Sequence, residues 1–138
     1  MTTPTFMLDT DTCIFLMRRE SPVLAARVQS VPLQQQVMSA VTFAELSYGV
    51  QASASSKRKQ NQNVLDSLAL HLAVLDWPRE AAQHYGEIRL DLKRRGAQLG
   101  AADLMIAAHA RALGAIVVTN NTKDFGRVRS LHVENWMK

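Results

Sequence analysis

Apolar and polar positions follow two rhythms along this chain, a short continuous one and a longer one with helical spacing. The apolar run Thr5 to Leu8 ends at Asp9; helical spacing then holds from Thr12 to Arg19, until Ser21 and Pro22 break it. Pro22 suits the first turn of a second short helix towards Ser30, Val37-Met38-Ser39 reads as a buried strand, and Thr42 to Ala52 as a helix. The polar stretch Ala52 to Asn63, ASASSKRKQNQN, predicts a loop with Lys57, Arg58 and Lys59 exposed. It leads into an amphipathic helix on which Val64, Leu65, Leu68 and Leu72 share a face. Val74-Leu75 predicts a strand, and Arg79 to Arg95 a long helix that stops at Gly96 with cations in its last turn. Ala102 to Leu113 predicts a helix ended by Gly114, and Ala115 to Val118 a strand buried on both faces. Such alternation predicts one α/β domain over residues 1–138, with a short, largely parallel central sheet flanked by helices.

Composition narrows the function. Hydrophobic residues make up 47% and charged residues 20% of 138, which excludes wholesale disorder and fibrous repeats. The single cysteine, Cys13, excludes an internal disulfide and a thiolate metal site; in an apolar helical run it reads as core, and it fits a reducing cytosol. The start MTTPTFMLDTD lacks a secretory signal's basic flank and apolar core, and no apolar run approaches the ~20 residues that span a bilayer. A cytoplasmic protein is expected. Charge is unevenly spread: residues 1–56 carry three Arg against four acids, residues 57–138 thirteen Lys and Arg against eight. The basic half predicts an anionic partner, nucleic acid first, with a merely solvated surface as the plainer reading.

Acids just past strand ends command attention, because ligands of open parallel sheets bind beyond the strands' carboxyl ends. Asp9 follows the first strand, Glu45 lies one turn into the helix after the second, Asp103 falls in the first turn of the helix after Gly100, and Asp124 follows the strand ending at Thr119. Carboxylates gathered from four segments repel one another unless a cation neutralises them, and hard oxygen ligands select Mg²⁺ or Mn²⁺ over zinc. Asp103 and Asp124, taken singly, read equally well as a first-turn charge and a turn residue. Glu45 is expected to be partly buried among Val41, Phe43, Ala44 and Leu46. His71, His84, His109 and His132 are scattered, make no zinc spacing, and read as surface or half-buried. Of the pair Asp9 and Asp11, the first reads as the metal ligand and the second as the N-cap of the following helix.

Four segments in this order closely resemble the PIN-domain ribonucleases, in particular the VapC toxins of bacterial toxin–antitoxin pairs: MLDTDTCIFL, SAVTFAELSYGV from Ser39, GAADLMIAAHARALG from Gly100 and IVVTNNTKDFGRV from Ile116. The closing VENW, Val133 to Trp136, is similar to that family's ending. The resemblance implies that Asp9, Glu45 and Asp103 line a metal site. In many relatives the fourth acid stands two residues after the threonine of a T-x-D/N turn; here that position is Asn121, with Asp124 three residues on, so both are supporting candidates. Asp11 stands where the family usually has Asn or Ser, and Thr12 matches its small polar residue near the site. The resemblance further implies a Mg²⁺-dependent endoribonuclease that cuts structured RNA, prominently tRNA anticodon loops. A homodimer and a cognate VapB-type antitoxin that blocks the metal site and carries operator-DNA binding are implied with it.

Lys57, Arg58, Lys59, Lys93, Arg94, Arg95, Lys123 and Arg127 are the candidates for phosphate contacts. Two other readings stand beside the nuclease. The D-x-D stretch Asp9-Thr10-Asp11, followed by Thr12, also resembles the opening of the signature of haloacid-dehalogenase-type phosphatases, which use the first aspartate as nucleophile and the second as general acid. Asn121 is the feature that favours a non-catalytic basic RNA-binding module.

Overall fold

Five strands of three or four residues run in one direction in a computed structural model that describes residues 4–138. They are β1 (Phe6–Leu8), β2 (Gln36–Ser39), β3 (Ala73–Leu75), β4 (Ile116–Val118) and β5 (His132–Glu134), in the order β3-β2-β1-β4-β5. Every neighbouring pair is parallel, so the sheet is wholly rather than largely parallel. The chain winds outward from β1 through β2 to β3, then returns across β1 to β4 and β5. The switch point therefore lies between β1 and β4, where the crevice of a doubly wound sheet opens.

The pleat divides the apolar residues between two cores. Met7, Val37 and Val117 pack with Ile88, Leu92 and Ile106 on one face, whereas Phe6, Leu8, Met38 and Val118 pack with Leu24, Leu65 and Trp136 on the other. Burial on both faces explains why these strands read as unbroken apolar runs.

Seven α-helices among the described residues cover the sheet: α1 (Thr10–Arg18), α2 (Pro22–Ser30), α3 (Ala40–Ala52), α4 (Ser55–His71), α5 (Ala81–Arg94), α6 (Ala101–Leu113) and α7 (Thr122–Phe125). Ser21 and Ser39 cap α2 and α3 by accepting the N–H groups of Leu24 and Val41, each at 3.1 Å. Gly114 ends α6 in the left-handed region (φ 72°), and its N–H binds the Arg111 carbonyl. The expected loop over 52–63 is corrected: α4 begins at Ser55, well before the apolar face at Val64. Lys, Arg and Gln are good helix formers, and this exposed half extends a helix whose second half is packed. Strand β5, unforeseen, has one apolar residue between His132 and Glu134, too little to register as a pattern. Among the described residues no helix is long and apolar enough to cross a membrane.

Candidate active site

Asp9 leaves the sheet at the switch point. Its N–H donates to the Val118 carbonyl at 3.0 Å, tying the end of β1 to the end of β4. The side chain is only 2% exposed, and both oxygens are engaged. Oδ1 accepts the Thr12 N–H at 2.9 Å, and Oδ2 accepts the Thr119 hydroxyl at 2.6 Å. Asp9, not Asp11, is thus the N-cap of α1, correcting the expected division of labour. The helix starts two residues earlier than its apolar spacing suggests, which leaves Asp11 exposed in the first turn as a charge facing solvent. Burial raises the Asp9 pKa, opposed by the hydrogen bonds from Thr119 and Thr12. Each bonded oxygen keeps a further lone pair, so Asp9 retains capacity for a cation.

Thr119, just past β4, is the hub of this edge. Its hydroxyl donates to Asp9 and accepts the Asn121 N–H at 2.9 Å, while its own N–H donates to the Glu134 carbonyl at 2.9 Å. Asn121 Nδ2 in turn donates to Asp124 Oδ2 at 3.0 Å. The amide that replaces an acid at this position thereby holds an acid in place. Thr12, expected to offer its hydroxyl to the site, donates it to the Val118 carbonyl at 3.1 Å.

Asp103 lies in the first turn of α6, half-buried, and its pKa is pushed up to about 6. Burial is the largest cause, followed by the charges of Asp9, Asp11, Glu45 and Asp124. Carboxylates from α1, α3 and α7 therefore converge on the start of α6. Glu45 is exposed on α3, which corrects the expected partial burial, and its Oε1 accepts the Thr10 hydroxyl. Thr10 and Thr119 are the residues the motifs did not single out. Thr119 was visible as the threonine of the T-x-D/N turn, whereas Thr10 meets a partner 35 positions away that no local spacing reveals.

The histidine expectation also needs correction, because His109 is buried. Its Nδ1 lies 2.9 Å from Ser39 Oγ, which links α6, the bearer of Asp103, to the cap of α3, the bearer of Glu45. Burial lowers the His109 pKa and keeps the ring neutral. Cys13 is buried and its thiol pKa is raised, first by burial and then by Asp9, so it is core and not a nucleophile.

This donor set fits a hard divalent cation: oxygen ligands only, with burial first and neighbouring negative charge second raising the Asp103 pKa to about 6. Among the described residues no three acids or histidines already form a closed metal cage. The acids share a field rather than a closed cage.

The PIN domain family matches residues 6–131. The chain is 38% identical over 131 residues to the tRNA(fMet)-specific endonuclease VapC of Salmonella typhimurium, which covers 95% of this chain and 97% of that one. Its structure is similar to DNA-bound VapBC from Salmonella typhimurium, with a TM-score of 0.90 and 36% identity over 97% of this chain and 99% of that one. It is also similar to VapBC2 from Rickettsia felis bound to a DNA fragment from the promoter, with a TM-score of 0.88 and 34% identity over 96% of this chain and 98% of that one.

Proposed function

The chain belongs to the PIN-domain family, among its VapC ribonucleases, and from that premise we propose that it is the toxin of a type II toxin–antitoxin pair. Its activity is endonucleolytic cleavage of structured RNA, a tRNA first and the initiator tRNA anticodon loop in particular, which stops translation. The relative from Salmonella typhimurium, a tRNA(fMet)-specific endonuclease, supports that substrate. It acts in the cytoplasm as a single PIN domain over residues 1–138. The observation that carries the site is Asp9, buried where β1 and β4 end and bonded on both oxygens by Thr12 and Thr119, with its charge and those of Asp11, Glu45 and Asp124 felt by the half-buried Asp103.

Asp9, Glu45 and Asp103 would hold Mg²⁺, with Mn²⁺ able to replace it. A divalent ion there supplies charge for the scissile phosphate and lowers the pKa of water. The chain's own contribution is placement. Asp9 is locked by Thr12 and Thr119, so it presents its free lone pairs in one direction. Glu45, steadied by Thr10, orients the attacking water or completes the ligand set. Asn121 and Asp124 form a bonded pair at the rim and support water rather than contribute a full fourth ligand. No protein nucleophile is required.

The VapBC neighbours, both bound to DNA, support a VapB-type antitoxin as partner. Operator DNA bound through that antitoxin, and a toxin homodimer within a heterotetramer or larger assembly, are proposed with it. Incubation of purified toxin with initiator tRNA tests the reaction: cleavage is expected with Mg²⁺, none with chelator, and recovery with Mn²⁺. Cleavage that persists in chelator overturns the metal assignment. Turnover of a small phosphate ester without RNA cleavage overturns the nuclease in favour of the phosphatase reading of Asp9 and Asp11.

A further inference from the structure

The chain's positive charge is concentrated on one edge. Lys93, Arg94 and Arg95 end α5, and Lys123, Arg127 and Arg129 lie in and after α7; against these six stand Asp91 and Asp124, an excess of four that equals the +4 of the whole chain. The two segments are joined. Arg95 Nη2 pairs with Asp91 Oδ2 at 2.6 Å and also donates to the Arg127 carbonyl, while Arg111 Nη1 donates to the Arg129 carbonyl at 3.3 Å. Arg129 Nη1 reaches Asp91 Oδ1 at 3.7 Å with its side chain 71% exposed. Gly126 makes the turn possible, because a Cβ there would meet the Thr122 carbonyl oxygen at 2.5 Å. The edge also touches the acids: Arg127 Nη1 lies 3.7 Å from Asp124 Oδ1, and Asp124 is among the charges that raise Asp103.

We propose that this edge, where the end of α5 meets the turn after α7, is the track that binds the RNA backbone. Arg127 holds the phosphate nearest the acids, and Arg129, Lys93 and Arg94 carry the strand away from them. Arg95 and Asp91 are positioning residues that keep the turn in place. The proposal rests on the ribonuclease reading and adds the direction of approach. Lys57, Arg58 and Lys59 are the competing cations; they sit on the exposed start of α4 without a salt bridge among the described residues. A track needs cations from several elements fixed relative to the reacting centre, and only the α5–α7 edge supplies a bonded route to it.

Fluorescence anisotropy with labelled tRNA in chelator, where cleavage is suppressed, tests the assignment. Two triple variants remove the same charge: K93A/R94A/R129A and K57A/R58A/K59A. The first is expected to weaken binding about tenfold or more near ~0.1 M salt and to flatten the log-affinity against log-salt slope by about 2–3. The second should change affinity less than about threefold. The charge-retaining R94K/R129K variant, expected to bind within about threefold of wild type, separates lost charge from lost fold. Equal or greater loss from the α4 triple, or none from the α5–α7 triple, overturns the track. Absence of Mg²⁺-dependent RNA cleavage by the wild-type protein overturns the ribonuclease reading itself, so the two failures are told apart.

Discussion

Asp9 and Glu45 both lie within electrostatic reach of Asp103, in two regions built in opposite ways. Asp9 stands between strand ends, almost wholly buried, with an N–H or hydroxyl on each oxygen. Glu45 stands on an exposed helix face with one contact, from Thr10. A carboxylate whose rotamer is already fixed loses little entropy on binding a cation, whereas a free Glu side chain forfeits up to about 2 kcal/mol. In the proposed metal site the sheet edge would thus supply a rigid ligand and the helix an adjustable one. That division is useful where a ligand set must admit both a metal and a moving phosphate.

Substitution of the two acids is the sharpest way to break the comparison. Asp9→Asn should lower RNA cleavage by roughly 10²–10³-fold with little change in melting temperature, since Asn caps helices as well as Asp. Asp9→Ala should cost a further ~1 kcal/mol of stability through the lost cap. Glu45→Gln should lower cleavage only about 10–100-fold; a larger loss there than at Asp9 would reverse the ranking of rigid and adjustable ligand. Thr119→Val tests how far the rigidity comes from its hydroxyl. Loss of about 1–3 kcal/mol of stability is expected together with a fall in activity, because Asp9 and the Asn121 N–H both lose a partner. Unchanged melting and cleavage would show that the hub is dispensable.

Stability against pH probes the crowding itself. Asp103 has its folded pKa raised to about 6 from 3.8, so without metal its contribution is full below about 4 and is lost as pH rises through about 6. His109, with a lowered pKa, acts in reverse and destabilises as pH falls below its ordinary 6.5. The difference between wild type and Asp103→Asn isolates the first effect. In chelator, calorimetry should show wild type gaining several degrees relative to the variant between pH 7.5 and 5, where 1 kcal/mol is worth about 3–5 °C in a domain of this size. Mg²⁺ should abolish the gain, and a flat difference in chelator would mean the acids do not share a field. The smallest effect is expected from Asp11→Asn, less than about threefold in cleavage, because Asp11 contributes charge but no observed bond.

Part of this site was legible because acids just past strand ends draw attention: Asp9 follows β1 and Asp124 lies in α7 after β4, whereas Asp103, in the first turn of α6 behind α5, follows no strand. What failed did so for identifiable reasons. The cap was assigned to Asp11 because apolar spacing begins at Thr12, while the first turn of α1 is polar and leaves no periodic trace. Glu45 was expected to be partly buried because apolar residues flank it in sequence. On a helix, however, burial follows Thr42, Leu46 and Val50 at four-residue spacing, and a neighbour one residue off is turned away by about 100°. The start of α4 was hidden because it packs on nothing, and hydrophobic pattern reports packing rather than helicity.

The last strand sets an order in time. Thr119 is held by the carbonyl of Glu134 in β5, and Trp136, just after β5, packs against Phe6 of β1 with ring centroids 5.0 Å apart. A ribosome issues every acid of the site before it issues β5 and Trp136. A product cut before His132 therefore carries all of these acids without the Glu134 carbonyl that holds Thr119.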